Sequence, residues 1–212
     1  MNTPPKKERD YSAAQEYENY AFHPYNVLMM LLLFGLSVLF LSLSIALVYT
    51  RIQNNLPAVQ LPSIFIFNTI ILLCSSASML WAKRSYLSDN TANYQWALLL
   101  TIFLSVLFMI LQYLGWKQLF GQAVFIDSDP SASYLYVISG LHFAHVIAGL
   151  PFLGTFLYRA YQHMKEPVSV LVYFSDPAKR LKLRLLTIYW HFLDLLWIYL
   201  VLFFFINWLL QA

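Results

Sequence analysis

Charge is what this chain has least of. Asp, Glu, Lys and Arg together make up 11% of its 212 residues, against about 25% in a soluble domain. That scarcity excludes an ordinary water-soluble fold. Cysteine is nearly absent: Cys74 stands alone, so no disulfide within the chain and no thiolate metal site can form. The residue is expected to be a small core side chain. Also missing are the short alternating segments of a membrane barrel. The polar start, MNTPPKKERDYSAAQEYENY, lacks the apolar region of a cleavable signal, which leaves the first apolar run as the insertion signal. No connection is long enough to hold a separate soluble domain.

What the chain does have is apolar bulk, 60% hydrophobic and 18% aromatic. Five runs are almost free of Asp, Glu, Lys and Arg: 27–49, 63–82, 95–116, 134–158 and 185–210. The first would be about 35 Å long as a helix at 1.5 Å per residue, enough for the roughly 30 Å hydrocarbon core. The expected fold is all-α, a polytopic membrane bundle of five transmembrane helices. Residues 1–25 form a polar N-terminal segment and residues 26–212 the transmembrane domain.

The cations fall unevenly. Lys6, Lys7, Arg9, Lys83, Arg84, Arg159, Lys165, Lys179, Arg180, Lys182 and Arg184 lie on one side of this topology, and only Arg51 and Lys117 on the other. By the positive-inside rule the N-terminus is cytoplasmic and the C-terminus lies on the outer side. The net charge of +3 is thus a topology signal and gives no reason to expect nucleic acid as a partner. The run Lys179, Arg180, Lys182, Arg184 reads as a basic cytoplasmic loop that anchors orientation and attracts anionic headgroups. Trp81, Trp96, Trp116 and Trp208 sit near span ends, as an interfacial aromatic belt requires.

Inside the runs a few polar residues stand out, because an ionisable group in lipid costs about 2.5–3.5 kcal/mol on insertion scales. His142 with His145, and His191 with Asp194, are each three apart and share a helix face. Asp194 is the one formal charge within any run. Their depths place the fourth and fifth spans side by side, with Asp194 facing His145 or His142. Three chemistries stay open for these four residues: a metal site, a proton relay, or a buried polar lock between helices. Gly140, Ala144 and Ala148 recur every four residues, a ridge suited to close helix packing, and Pro151 should bend the fourth helix. Asn68, Ser75 and Ser78, with Gln112 and Asn207, are expected to hydrogen-bond between helices. A small transporter would show internal repeats and paired broken helices, which are not visible. An independent intramembrane enzyme would need a nucleophile with a base, or a metal set.

Two strings carry a family likeness. Ser139-Gly140-Leu141-His142-Phe143-Ala144-His145-Val146 and Tyr189-Trp190-His191-Phe192-Leu193-Asp194-Leu195-Leu196-Trp197 closely resemble subunit III of haem-copper terminal oxidases, in that family's order and separation. Leu72-Leu73-Cys74-Ser75-Ser76, Trp81-Ala82 and Leu111-Gln112-Tyr113-Leu114-Gly115-Trp116 look like its preceding helices. The resemblance implies a bacterial five-helix version of a subunit with seven helices in mitochondria, in the cytoplasmic (inner) membrane. It implies a non-catalytic subunit without haem or copper of its own. Such a subunit packs on subunit I, belongs with subunit II, holds phospholipid in a cleft, and supports sustained oxygen reduction and proton pumping. Whether cytochrome c or quinol feeds the oxidase, and whether it joins a supercomplex, stays open, with cytochrome c favoured. His142, His145, Trp190, His191 and Asp194 match the motif as structural or lipid-cleft positions. Two departures accompany them: Ser37 where relatives often carry glutamate, and Phe143 where they commonly have glycine.

Overall fold

The computed structural model describes residues 24–56, 60–164 and 167–210. Lys6, Lys7, Arg9 and Lys165 of the charge count, and most of the polar 1–25 segment, lie outside the described residues. All the regular structure there is helical: α1 (Pro24–Gln53), α2 (Ser63–Leu87), α3 (Thr91–Gly121), α4 (Pro130–His163), α5 (Pro167–Ser175) and α6 (Pro177–Leu209). Every one but α5 is long and apolar enough to cross a membrane. The five expected spans are present, each extended beyond its apolar run at one or both ends.

The extensions have local causes. Two begin with an aspartate followed by proline. Asp129 accepts a hydrogen bond from the Ala132 N–H at 2.8 Å, and Asp176 accepts from the N–H groups of Ala178 and Lys179. Each satisfies donors that a helix start leaves unpaired, while Pro130 and Pro177 supply a pre-set first helical residue. Asn90 caps α3 in the same way, through the Asn93 N–H at 3.1 Å. The basic run Lys179, Arg180, Lys182, Arg184 is therefore not a loop but the opening turns of α6. Lys179 there lies 3.4 Å from Asp176 and over the Tyr173 ring at 4.3 Å. Burial pushes the Asp176 carboxyl up slightly, but the Lys179 and Ala178 N–H groups and the Lys179 ammonium outweigh it. The carboxyl is held below its ordinary value of 3.8.

The chain separates into two units at Leu39 and Phe40, within α1. The described part of the first is the start of α1, with Met30, Leu28 and Phe34 largely exposed. In the second, α2 and α3 form an antiparallel hairpin, α2 also packs on α6, and α4 packs on both α3 and α6. Met79, Ala82, Tyr94, Ala97, Leu98, Leu153, Ala160, Leu186 and Trp190 belong to a buried cluster where α2, α3, α4 and α6 meet, closed at one end by Tyr173 and Phe174 of α5. Tyr86 donates to the Tyr173 carbonyl at 3.1 Å, and Gln95 to the Ala160 carbonyl at 3.1 Å. Those contacts gather the end of α2, the start of α3 and the end of α4 with α5. Lys83, Arg84, Arg159 and the α6 cations stand at that end of the bundle.

Close backbone approach occurs where small residues meet bulky rings. A Cβ on Gly149 would sit 2.8 Å from Trp190, and one on Gly115 2.8 Å from Phe65. The ridge expected from Gly140, Ala144 and Ala148 does not make such a contact. Gly140 has nothing within 4 Å of a Cβ, and Ala144 and Ala148 are exposed. α4 continues through Pro151 without a break. Cys74 is exposed rather than part of the core.

Candidate functional site

Polar side chains form a seam through the apolar second unit, and most of them reach across to a neighbouring helix. Asn68 of α2 donates to Gln112 of α3 at 3.2 Å. Ser78 of α2 meets Thr101 of α3 at 2.7 Å. Ser75 of α2 accepts from the Trp190 indole of α6 at 3.2 Å, and Trp116 of α3 donates to Ser139 of α4 at 3.1 Å. The stripe expected on the second span is thus interhelical. Asn207 takes part through its main chain: its carbonyl accepts from the buried Arg51 guanidinium at 3.0 Å, while its side-chain amide donates to Phe203 in its own helix. An arginine at the end of α6 suits the partial negative charge of a helix C-terminus.

The motif histidines take three different positions. His142 is fully buried and its Nε2 lies 3.1 Å from the Leu193 carbonyl of α6. A carbonyl only accepts, so the proton is on Nε2. Trp197 and Phe108 enclose the ring, with centroids 4.9 and 5.7 Å away. His145 turns back on its own helix, Nδ1 donating to the Leu141 carbonyl at 2.7 Å. Its backbone carbonyl accepts from the Tyr189 hydroxyl at 2.9 Å, and its ring meets Phe40 edge-on. α4 and α6 are neighbours, as expected, and the side chains of His142 and Tyr189 join them.

Asp194 does not complete that joint. Its carboxylate lies 4.0 Å from His191 Nδ1, too long for a hydrogen bond, and its Oδ2 has no hydrogen-bond partner among the described residues. Ser76 Oγ of α2 is 2.6 Å from His191 Nδ1. The expected facing of Asp194 to His145 or His142 fails because α6 turns Leu193, with Trp190 and Trp197, into the core, whereas the His191–Asp194 pair meets α2. Spacing identified the pair, but Ser76 appeared only as part of a string. Its signal was a hydroxyl on the α2 turn that adjoins Ser75.

No three His, Cys, Asp or Glu side chains among the described residues are gathered as metal ligands. Phe143, where the resemblance led to an expectation of glycine, packs at a tilt against Trp116 with centroids 5.1 Å apart. That contact ties α3 to α4. Ser37 donates to the Leu33 carbonyl of its own helix at 2.8 Å.

A family model for cytochrome c oxidase subunit III matches residues 25–209. The chain belongs to this family. Cytochrome c oxidase subunit 3 of Yarrowia lipolytica is 33% identical over 141 residues, covering 66% of this chain and 47% of the relative. The subunit of Loxodonta africana is 34% identical over 138 residues, 65% of this chain and 48% of its own length. That of Locusta migratoria is 33% identical over 145 residues, 68% and 49%. The chain spans about half the length of the curated relatives it matches. Within the subunit III match lie every motif residue above, Ser76 included, and, but for Pro24, all five membrane-length helices.

Proposed function

We propose that this chain is the non-catalytic subunit III of a haem-copper respiratory oxidase fed by cytochrome c. It packs on subunit I, associates with subunit II and phospholipid, and sustains oxygen reduction and proton pumping whose haem and copper centres lie in the partners. The observation that carries this reading is the family match across 25–209. The geometry agrees with it: His142 is tied to a backbone carbonyl, His145 to its own helix and His191 to a serine. That arrangement suits a scaffold better than a redox centre, which gathers its ligands around one point. The names of the relatives favour cytochrome c over quinol as donor.

The chain lies in the bacterial cytoplasmic membrane with its basic end inside. Lys83, Arg84, Arg159 and the α6 cations then face the cytoplasm, where positive residues concentrate, and Arg51 and Lys117 lie near the outer surface. His142, Trp190 and Asp194 act as structural links, and lipid fills surface clefts between helices.

Selective removal of this chain from the purified oxidase tests the reading. The haem spectrum and the initial rate of oxygen uptake with reduced cytochrome c should persist, while activity during continuous turnover decays sooner than in the intact complex. Loss of a haem band together with this chain would contradict it.

A further inference from the structure

We propose that the core of the second unit holds a site for internal water, formed by Asn68 of α2, Gln112 of α3, His142 of α4 and Trp197 of α6. The site lies wholly within this chain and does not depend on the oxidase reading above.

Register brings the four residues to one level. Trp190 of α6 donates to Ser75 of α2, and seven residues further along α6 and seven back along α2 stand Trp197 and Asn68. Seven residues are about two helical turns, which return each helix to nearly the same face. Gly149 of α4 abuts Trp190, and the same two turns lead to His142 beside Trp197, with ring centroids 4.9 Å apart. Gln112 enters from α3 through its 3.2 Å bond with Asn68. It stands one turn from Phe108, whose ring centroid lies 5.7 Å from His142 and 5.1 Å from Trp197. All four residues are at most 1% exposed.

Each of the four keeps one buried polar atom without a partner among the described residues: Asn68 Oδ1, Gln112 Nε2, His142 Nδ1 and Trp197 Nε1. Their neighbours fix what each atom can do. His142 carries its proton on Nε2, toward the Leu193 carbonyl, so Nδ1 is an acceptor, and an indole N–H only donates. The bond from the Asn68 amide to the Gln112 oxygen leaves an acceptor on Asn68 and a donor on Gln112. Turning both amides over exchanges those two roles and leaves the count unchanged. The layer thus offers donors on two helices and acceptors on the other two.

Water is the ligand with the matching set, two O–H donors and two lone pairs. A cation would face the two N–H groups, and an anion the two lone pairs. Buried waters make about three hydrogen bonds to groups of this kind, and each atom left unpaired carries its own desolvation penalty. The aromatic neighbours do not replace such bonds. Phe65 stacks on Trp197 with centroids 5.8 Å apart and Phe108 meets it at 86°, and a ring is only a weak acceptor for an indole N–H. Water that accepts from Gln112 and Trp197 and donates to Asn68 and His142 ties α2, α3, α4 and α6 together at one level.

A cryo-electron map of the detergent-purified complex that shows ordered water reads the site directly. A peak within hydrogen-bond distance of at least three of the four atoms supports it. Resolved side chains with no peak among them, or with the four atoms bonded to one another, overturn it. X-ray hydroxyl-radical footprinting of the same complex gives a second reading, because radicals born from a bound water label the side chains beside it. Trp197 should be oxidised several-fold faster than Trp190, which is comparably buried and whose indole already donates to Ser75. Equal rates at the two indoles overturn the site.

Discussion

Gly149 and Gly140 are both helical glycines of α4, yet they should answer very differently to a methyl group. On Gly149 the added Cβ meets Trp190 at 2.8 Å and Tyr189 at 3.1 Å. Trp190 is buried and its indole is bonded to Ser75, so it has little room to yield. Gly149→Ala should therefore cost about 1–3 kcal/mol, as overpacking does, seen as a lower thermal midpoint of the detergent-purified complex. Gly140→Ala, with open space at its Cβ, should leave the midpoint unchanged or raise it slightly, since alanine has less unfolded-chain entropy to lose. Equal midpoints for the two variants would contradict the α4–α6 packing described above. Across the α2–α3 contact, a double-mutant cycle of Asn68→Ala and Gln112→Ala should yield a coupling of about 0.6 kcal/mol, with about 1.7 as the upper bound for membrane hydrogen bonds. A coupling of zero would mean that the 3.2 Å bond contributes nothing.

At the scale of elements, the start of α6 is the most testable feature. Asp176→Ala removes the cap of α6 and the partner of Lys179, and should cost about 0.5–2 kcal/mol. Because the folded carboxyl titrates below its ordinary value, its contribution is fully present above pH 4. It is lost as the pH falls through the lower folded value. A pH series of thermal midpoints should show wild type and Asp176→Ala converging at the acid end; a gap that persists there would contradict the assignment. This helix also shows what the sequence made legible. Runs free of charge but for Asp194 marked the middles of all five long helices, because lipid-facing and core-facing sides are both apolar. The ends were harder to see, since Lys83, Arg84, Lys117 and Arg159 belong to helices that continue past the apolar run. Asp129-Pro130 and Asp176-Pro177 were the available start signals. The short α5 lies in what the sequence presented as a loop. Spacing revealed the His142–His145 and His191–Asp194 pairs, but the neighbour each one meets depends on helix rotation, which three-residue spacing leaves undetermined. That is why the Asp194 pair was assigned to α4, whereas its His191 meets Ser76 of α2.

The whole molecule combines a polar seam, an asymmetric charge distribution and membership of the cytochrome c oxidase subunit III family. The proposed orientation rests on the cations at the α5 end of the bundle. A cysteine placed at Lys182, in a Cys74→Ser background, should react with an impermeant thiol reagent from the cytoplasmic side only; labelling from the outer side would invert the topology. The seam explains how a chain so poor in charge holds specific helix contacts where the hydrophobic effect gives little help. It also accounts for the separation of His142, His145 and His191, each bonded to a different partner. The central claim is that this chain is an accessory part of an oxidase whose redox centres lie elsewhere. Purification through a tag on this chain, with an optical spectrum of the product and identification of its subunits, tests that claim most directly. Haem bands together with a large histidine-rich membrane partner are expected. A colourless protein recovered alone from mild detergent would contradict it.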